Sequence, residues 1–428
     1  LMKIFLYFIS KINLDFYSNL GKFKICFSNK VEKKINQSIY KKILVFIILL
    51  SSFQNQAVQA LREPIIRVLI KKDTKLRVRS DSSIPLIIKG NRFFNKRIKG
   101  LTISNKLNKK ILFFDKQKDK FYKLNKESFL IRSSDRRGIW VGDKRYSGII
   151  NVTIKDNQIY VVNELGIEKY LNSVVGAEMP HKWPLEALKA QAIASRTYAL
   201  KKIGNAMFDI DSTQRDQVYQ GLESMTIKTQ KAVRSTRSLV ITYKNKLINA
   251  LFHSSSGSKT ENSEDVWSNK YDYLRSVKDF DKNNPKLIWE KSFSKDELRN
   301  FFPKIDGLEN MKILKKSNTG RIKSLEIIGK NGSKEMLGKD FRNKLKLNST
   351  FFNYSFIKTN LNGEIESKKE LINADKKYLL ISGKGSGHGV GMSQWGAKYM
   401  ASKGATAEQI LKHFYKGIQV KPFKKIYK

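Results

Sequence analysis

Residues 174–200 read V-V-G-A-E-M-P-H-K-W-P-L-E-A-L-K-A-Q-A-I-A-S-R-T-Y-A-L, and this stretch decides how the chain is read. Its apolar opening has the character of a strand-like run that delivers one carboxylate, Glu178, to a loop. A well-marked helix follows. Pro184 suits the first helical position, Glu186 complements the positive N-terminal end, and Gly204 stands where a left-handed cap belongs after Lys201 and Lys202. The expected helix covers 184–203. Leu188, Ala192, Ser195, Ala199 and Ile203 form a stripe of small and apolar residues suited to close approach to a sheet. Lys189 and Arg196 are seven apart and share a face, nearly two turns from each other. Read alone they are surface cations, whereas Gln191, on a different face, reads as a buried hydrogen-bonding residue. Ala177, Met179, Pro180 and Trp183 are apolar neighbours able to desolvate the Glu178 carboxyl and raise its pKa, and the positive end of the following helix works in the opposite direction.

Before this stretch the chain is strand-rich. The runs at 65–70, 86–88, 111–114 and 129–131 are short and apolar, separated by charged and turn-rich breaks, and predict a small β-rich domain. Strand signals continue at 149–154 and 159–162, and 167–171 reads as a short helix or turn. Further upstream, Lys41 and Lys42 precede an apolar run at 43–50 and a small-residue stretch ending at Ala60. That order fits a secretory leader cleaved after Ala60, with an uncleaved anchor as the alternative and the only membrane association expected. The single cysteine, Cys26, lies inside this segment, so disulfides and thiolate metal sites are not expected in the remainder.

The chain of 428 residues is long enough for two or three domains, and its apolar content is that of a globular protein. A net charge of +45 invites an anionic partner. The lysines are nonetheless scattered among Asn and Ile with no concentrated arm, so a solvated basic surface is expected and no nucleic-acid partner is.

Three later segments carry polar chemistry. Residues 216–221, D-Q-V-Y-Q-G, follow the helix, with Asp209 and Asp211 close before them. Residues 247–252 read as a strand running into the hydroxyl-rich loop H-S-S-S-G-S-K-T-E at 253–261, whose serines suit either sugar hydroxyls or the loop's own backbone. The run G-K-G-S-G-H-G-V-G at 383–391 is neither a dinucleotide fingerprint nor a Walker A loop. Its alternating glycines predict a backbone that passes close to something, with His388 at the centre. After it, Ser393 is placed to cap a helix ended by Gly404. Thr406 and Gln409 then make a capping box for a last helix ending at Gly417. His181, His253, His388 and His413 are too scattered for a metal-ligand spacing, and no metal or cofactor is expected.

These motifs together resemble the stage II sporulation protein D family. The resemblance covers about 138–417 with gaps and is strongest at 174–200, 253–261 and 383–400. Two departures stand out: Ser258 replaces a glycine of the serine loop, and Asp216 occupies the place of a cysteine that helps bind zinc in some members, so no structural zinc is expected. The resemblance implies a mixed α+β fold in which a catalytic core, 151–272 with 377–428, is preceded by the β-rich domain at 61–150 and interrupted by a subdomain at 273–376 that forms the other wall of a cleft. It implies an exported, periplasmic or cell-envelope protein acting on peptidoglycan glycan strands, as a lytic transglycosylase or as the enhancer of a cell-wall amidase. Glu178 would be the general acid and base. Lys189, Arg196, His253, Ser254, Ser255, Ser256, His388, Ser393 and Gln394 would line the substrate site.

Overall fold

The computed structural model describes residues 63–423 apart from 82–83, 92–93, 105–110, 116–119, 125–127, 205–206 and 360–375. The expected leader at 1–60 and Cys26 lie outside the described residues.

The fold is mixed α+β. Alternating residues such as Ile150, Val152 and Ile154 turn inward along the strand Ile149–Lys155, which explains why it forms half of a one-sided antiparallel pair. Its partner, Gln158–Gly166, is reached through Asp156 and Asn157, which take left-handed φ values of 50° and 56°. Asn and Asp tolerate that conformation, and the turn matches the twist of a two-residue hairpin. These strands sit inside a seven-stranded sheet ordered Ile210–Asp211, Ile65–Asp73, Gln158–Gly166, Ile149–Lys155, Ser128–Arg132, Leu86–Asn91, Phe94–Ile98. A six-stranded sheet accompanies it, and both sheets contribute to one hydrophobic cluster that runs from Ile66 to Ile418. That cluster and the larger sheet both cross residue 150.

Strand Gln158–Gly166 leads directly into helix α1 (Ile167–Glu178), and here the structure corrects the sequence reading. Residues 174–178 are the last helical turns, not a strand. Ile167, Tyr170, Leu171, Val174 and Val175 are all buried, and their spacing is the 3.6-residue period of one helical face. Two β-branched valines at the end of that face hide the period when the segment is divided at residue 171. Pro180 prevents continuation, the Trp183 amide closes a turn on the Pro180 carbonyl at 3.0 Å, and helix α2 (Leu185–Lys202) begins behind Pro184.

Helix α2 is the central post of the molecule. Twelve of its residues are buried, many of them alanines, so helix α1, helix α3 (Ile227–Ser235) and the strand Leu239–Tyr243 pack close to it. Helices α4 (Gln394–Ser402) and α5 (Ala407–Phe414) cover its other sides. The caps expected from sequence at Ser393 and at Thr406 with Gln409 are present, and α5 stops at Phe414, three residues short of Gly417, where the Tyr415 backbone turns extended. Gly176 shows how tight the packing is: a Cβ there would lie 1.9 Å from the Ser224 carbonyl oxygen. Gly176→Ala is therefore expected to destabilise by about 1–3 kcal/mol through overpacking, despite alanine's better helix propensity. Chemical denaturation of the variant checks this.

A second hydrophobic cluster runs from Trp289 to Ile381, with Leu325, Phe341, Leu379 and Ile381 fully buried. It is built on two three-stranded sheets, Ile288–Ser294 with Lys376–Lys384 and Phe352–Thr359, and Asn310–Lys316 with Ile322–Gly329 and Gly332–Leu337. Tyr273, Leu274 and Val277 pack in the first cluster instead. No helix among the described residues is long and apolar enough to cross a membrane.

Candidate active site

Glu178 is the last residue of α1 and is half-buried. Its Oε1 accepts the Val218 backbone N–H at 2.7 Å, a bond supplied by the loop that follows Asp216. Asp216 fixes that loop by accepting from Tyr198 Oη at 2.6 Å and from the Asp211 amide at 3.0 Å, with the Lys202 ammonium 3.2 Å away. The position that carries a cysteine in some family members is thus an oxygen hub here. Among the described residues no three His, Cys, Asp or Glu side chains gather as a metal site.

Burial pushes the Glu178 carboxyl up to about 7, against the lowering effect of the Val218 and Gln394 hydrogen bonds. The carboxyl also stands at the negative end of α1, which disfavours its ionised form. The competition left open by sequence is therefore won by desolvation. Among the described residues no charged neighbour contributes to the shift.

The other motifs reach Glu178 through strand pairing. Phe252–His253 pairs in parallel with Met392–Ser393, and single bridges join Ser255 to Ser386 and Glu261 to Val390. The serine loop and the glycine loop are thereby zipped together, and the Trp395 amide adds a 3.0 Å bond to the Ser254 carbonyl. Next to Ser393, the Gln394 side chain donates from Nε2 to the Glu178 carbonyl oxygen at 3.2 Å and to Gln191 Oε1 at 3.4 Å. Gln191 is fully buried and in turn donates to Ser195 Oγ at 3.0 Å. Gln394 thus holds the acid in place. Gln394→Met should remove this tether together with the lowering influence of Gln394 on Glu178, and move the Glu178 titration midpoint up by about half to one pH unit. Carboxyl 13C NMR of the variant reads that midpoint directly.

His253 is buried, with Nδ1 3.2 Å from the Val390 carbonyl and Nε2 without a partner among the described residues. Its ring lies 5.5 Å from that of His388, whose Nδ1 accepts the Val390 amide. Burial, with Arg342 and Arg321 nearby, pushes His388 down to about 3, and burial lowers His253 likewise. Both rings are neutral at ordinary pH and act as hydrogen-bonding groups. The glycines of this loop make room for those partners: a Cβ on Gly387 would sit 2.7 Å from His253 Cβ, and one on Gly389 2.7 Å from the Arg321 guanidinium carbon.

Other residues expected to line the site have internal partners. Arg196 is 1% exposed and forms a two-pronged ion pair with Glu168, Nε to Oε1 at 2.8 Å and Nη2 to Oε2 at 2.7 Å, while Nη1 donates to the Leu239 carbonyl. The structure places it in the core, not on a surface. Ser255 Oγ donates to Asp281 at 2.5 Å, Ser256 Oγ donates to Asp279, and both serines are fully buried. Their hydroxyls brace the loop. Ser393 Oγ accepts the Gly396 amide at 3.1 Å as the cap of α4. Lys189 pairs with Glu186 at 2.6 Å, and Glu186 also accepts the Ala407 amide. Ser254, half-buried, is the member of the serine run whose hydroxyl has no hydrogen bond among the described residues. Sequence reasoning missed Asp279, Asp281 and Arg321, because they lie in a stretch whose composition carries no motif.

A family model described as Stage II sporulation protein matches residues 155–243, which holds α1, Glu178, α2, the Val218 loop and α3. A second, described as a domain of unknown function, matches 289–391, the region of the second cluster and the glycine loop. The Stage II sporulation protein D of Bacillus subtilis is 34% identical over 279 residues, covering 60% of this chain and 75% of that protein. The chain belongs to the stage II sporulation protein D family. An uncharacterized protein of Brachyspira hyodysenteriae is 33% identical over 67% of this chain and 75% of its own length. The family resemblance extends to the Amidase enhancer of Bacillus subtilis, 34% identical over 58% of this chain but only 39% of that longer protein.

Proposed function

We propose that the protein acts on the bacterial cell wall as a peptidoglycan lytic transglycosylase, in the periplasm or cell envelope, with Glu178 as its acid and base. One observation carries this reading: Glu178 is a half-buried carboxyl poised at about 7, raised by burial and by no charged neighbour among the described residues. Ordinary glycoside hydrolysis employs a second carboxylate about 5–9.5 Å away. The other buried acid of the serine loop, Glu261, is committed: Oε2 accepts from Ser317 Oγ at 2.6 Å and from Thr319 Oγ1 at 2.5 Å, beside Arg321.

A single carboxyl suffices when the sugar supplies its own nucleophile. Protonated Glu178 gives its proton to the glycosidic oxygen as the C1–O bond breaks. The C6 hydroxyl of the same muramic sugar then attacks C1, its proton passes to the Glu178 carboxylate, and a 1,6-anhydro ring closes. The acid is regenerated and no water is consumed. Val218 holds the carboxyl through both steps, Gln394 holds the Glu178 backbone, and Ser254 offers a hydroxyl to the glycan.

The test is mass spectrometry of products from intact peptidoglycan and from peptide-stripped glycan strands. Anhydromuramic ends are expected, and reducing ends would replace this reading with hydrolysis. The similarity to an amidase enhancer supports a second reading, in which the protein binds wall and activates an amidase. That reading takes over if neither substrate is cleaved while a cell-wall amidase is accelerated.

A further inference from the structure

One cation next to the site has no acidic partner. Lys398 lies on α4 one turn beyond Gln394, so the two side chains share a helix face, and Gln394 touches Glu178. The Lys398 ammonium stands 4.2 Å from the ring centre of Trp395 and 5.3 Å from that of Trp183. These indoles meet edge to face at 4.9 Å, and Trp183 belongs to the turn that follows Glu178. Trp183 is 9% exposed, whereas Trp395 and Lys398 are half-buried. Among the described residues the ammonium makes no ion pair and no hydrogen bond. Three cations of α2 behave differently: Lys189, Lys202 and Arg196 each hold a carboxylate.

An ammonium over two aromatic faces is held in place by the ring quadrupoles, and its three donors remain for a ligand. Holding it on rigid rings lowers the entropy cost that an ordinary surface lysine meets when it captures an anion. We propose that Lys398, mounted on Trp183 and Trp395, is a carboxylate-reading subsite beside Glu178. This deepens the reading of the protein as one that acts on wall glycan. The polymer has two carboxylate sources, the lactyl ether of muramic acid when its peptide has been removed, and the stem peptide when it has not.

The experiment measures binding in a Glu178→Gln background, so that no cleavage is required. Three ligands are compared: peptide-stripped strands, the same strands with their carboxylates converted to methylamides, and soluble fragments of intact peptidoglycan. Lys398→Met should bind carboxylate-bearing strands about tenfold more weakly, equivalent to about 1.4 kcal/mol. It should bind the methylamide strands as its parent does, and Lys398→Arg should retain most of the affinity. The difference should shrink as salt rises. A loss confined to stripped strands assigns the lactyl carboxylate, and a loss confined to intact fragments assigns the stem peptide. An equal loss on the methylamide strands, or no loss on any, overturns the proposal. Denaturant melts of both lysine variants show whether the fold is intact. Wild type that binds through Lys398 but cleaves nothing would sink the catalytic reading alone, and cleavage indifferent to Lys398 would sink the subsite alone.

Discussion

Glu178→Gln should lower the rate of glycan cleavage by about 10²–10⁴-fold, the usual contribution of a positioned acid and base, while leaving wall binding intact. The amide keeps the size of the carboxyl and still accepts the Val218 N–H, so the loss reports proton transfer. The wild-type rate should carry the same signature. Because the first step needs protonated Glu178 and burial holds the group at about 7, the rate should fall as pH rises through about 7. The substitution should also alter stability, in a direction unusual for an active-site change. A carboxyl whose folded midpoint is raised from 4.5 to about 7 keeps its proton more tightly in the folded state. Its ionisation therefore costs stability progressively between about 4.5 and about 7, and the full cost, about 3 kcal/mol, is present above that range. Glu178→Gln should thus stabilise the protein at pH 8 and have little effect at pH 4.5. Urea melts at the two pH values read the difference, and an equal effect at both would remove the case for a raised carboxyl.

The second large effect belongs to Arg196. Its side chain is 1% exposed and that of Glu168 is 14% exposed, so truncating the arginine leaves a carboxylate largely shielded from water with its partner gone. Arg196→Ala is expected to destabilise the fold by about 3–5 kcal/mol. Replacing both members, Arg196→Met with Glu168→Gln, should recover part of that loss, since no uncompensated charge remains. Cleavage per folded molecule should change far less than for Glu178→Gln. A residue that lined the substrate groove would behave in the reverse way, with normal melting and lost activity. Denaturation curves and rates measured on the same preparations separate the two roles.

Much of the local architecture was legible because its causes are local. Pro184, Glu186 and Gly204 mark the ends of α2 to within a residue or so, the Thr406 and Gln409 box marks the start of α5, and Ser393 marks the start of α4. Helix α1 was misread because its 3.6-residue period spans a segment that looks extended when only its last valines are considered. The family was legible from three motifs.

The division between what each level decides is clearest at the motif residues. The sequence by itself determined that one carboxylate precedes a buried helix, that a serine loop and a glycine loop follow, and that helix caps bracket them, since these depend on neighbours within a few positions. Only the tertiary structure decided which polar side chains are left for a substrate. Arg196, Ser255 and Ser256 are withdrawn by Glu168, Asp281 and Asp279, 28, 26 and 23 residues away in the chain. Glu178 is adjusted by Val218 and by Gln394, 40 and 216 positions distant. A side chain's availability and its proton affinity are set by what surrounds it in three dimensions, because desolvation and hydrogen bonding act through space and take no account of distance along the chain.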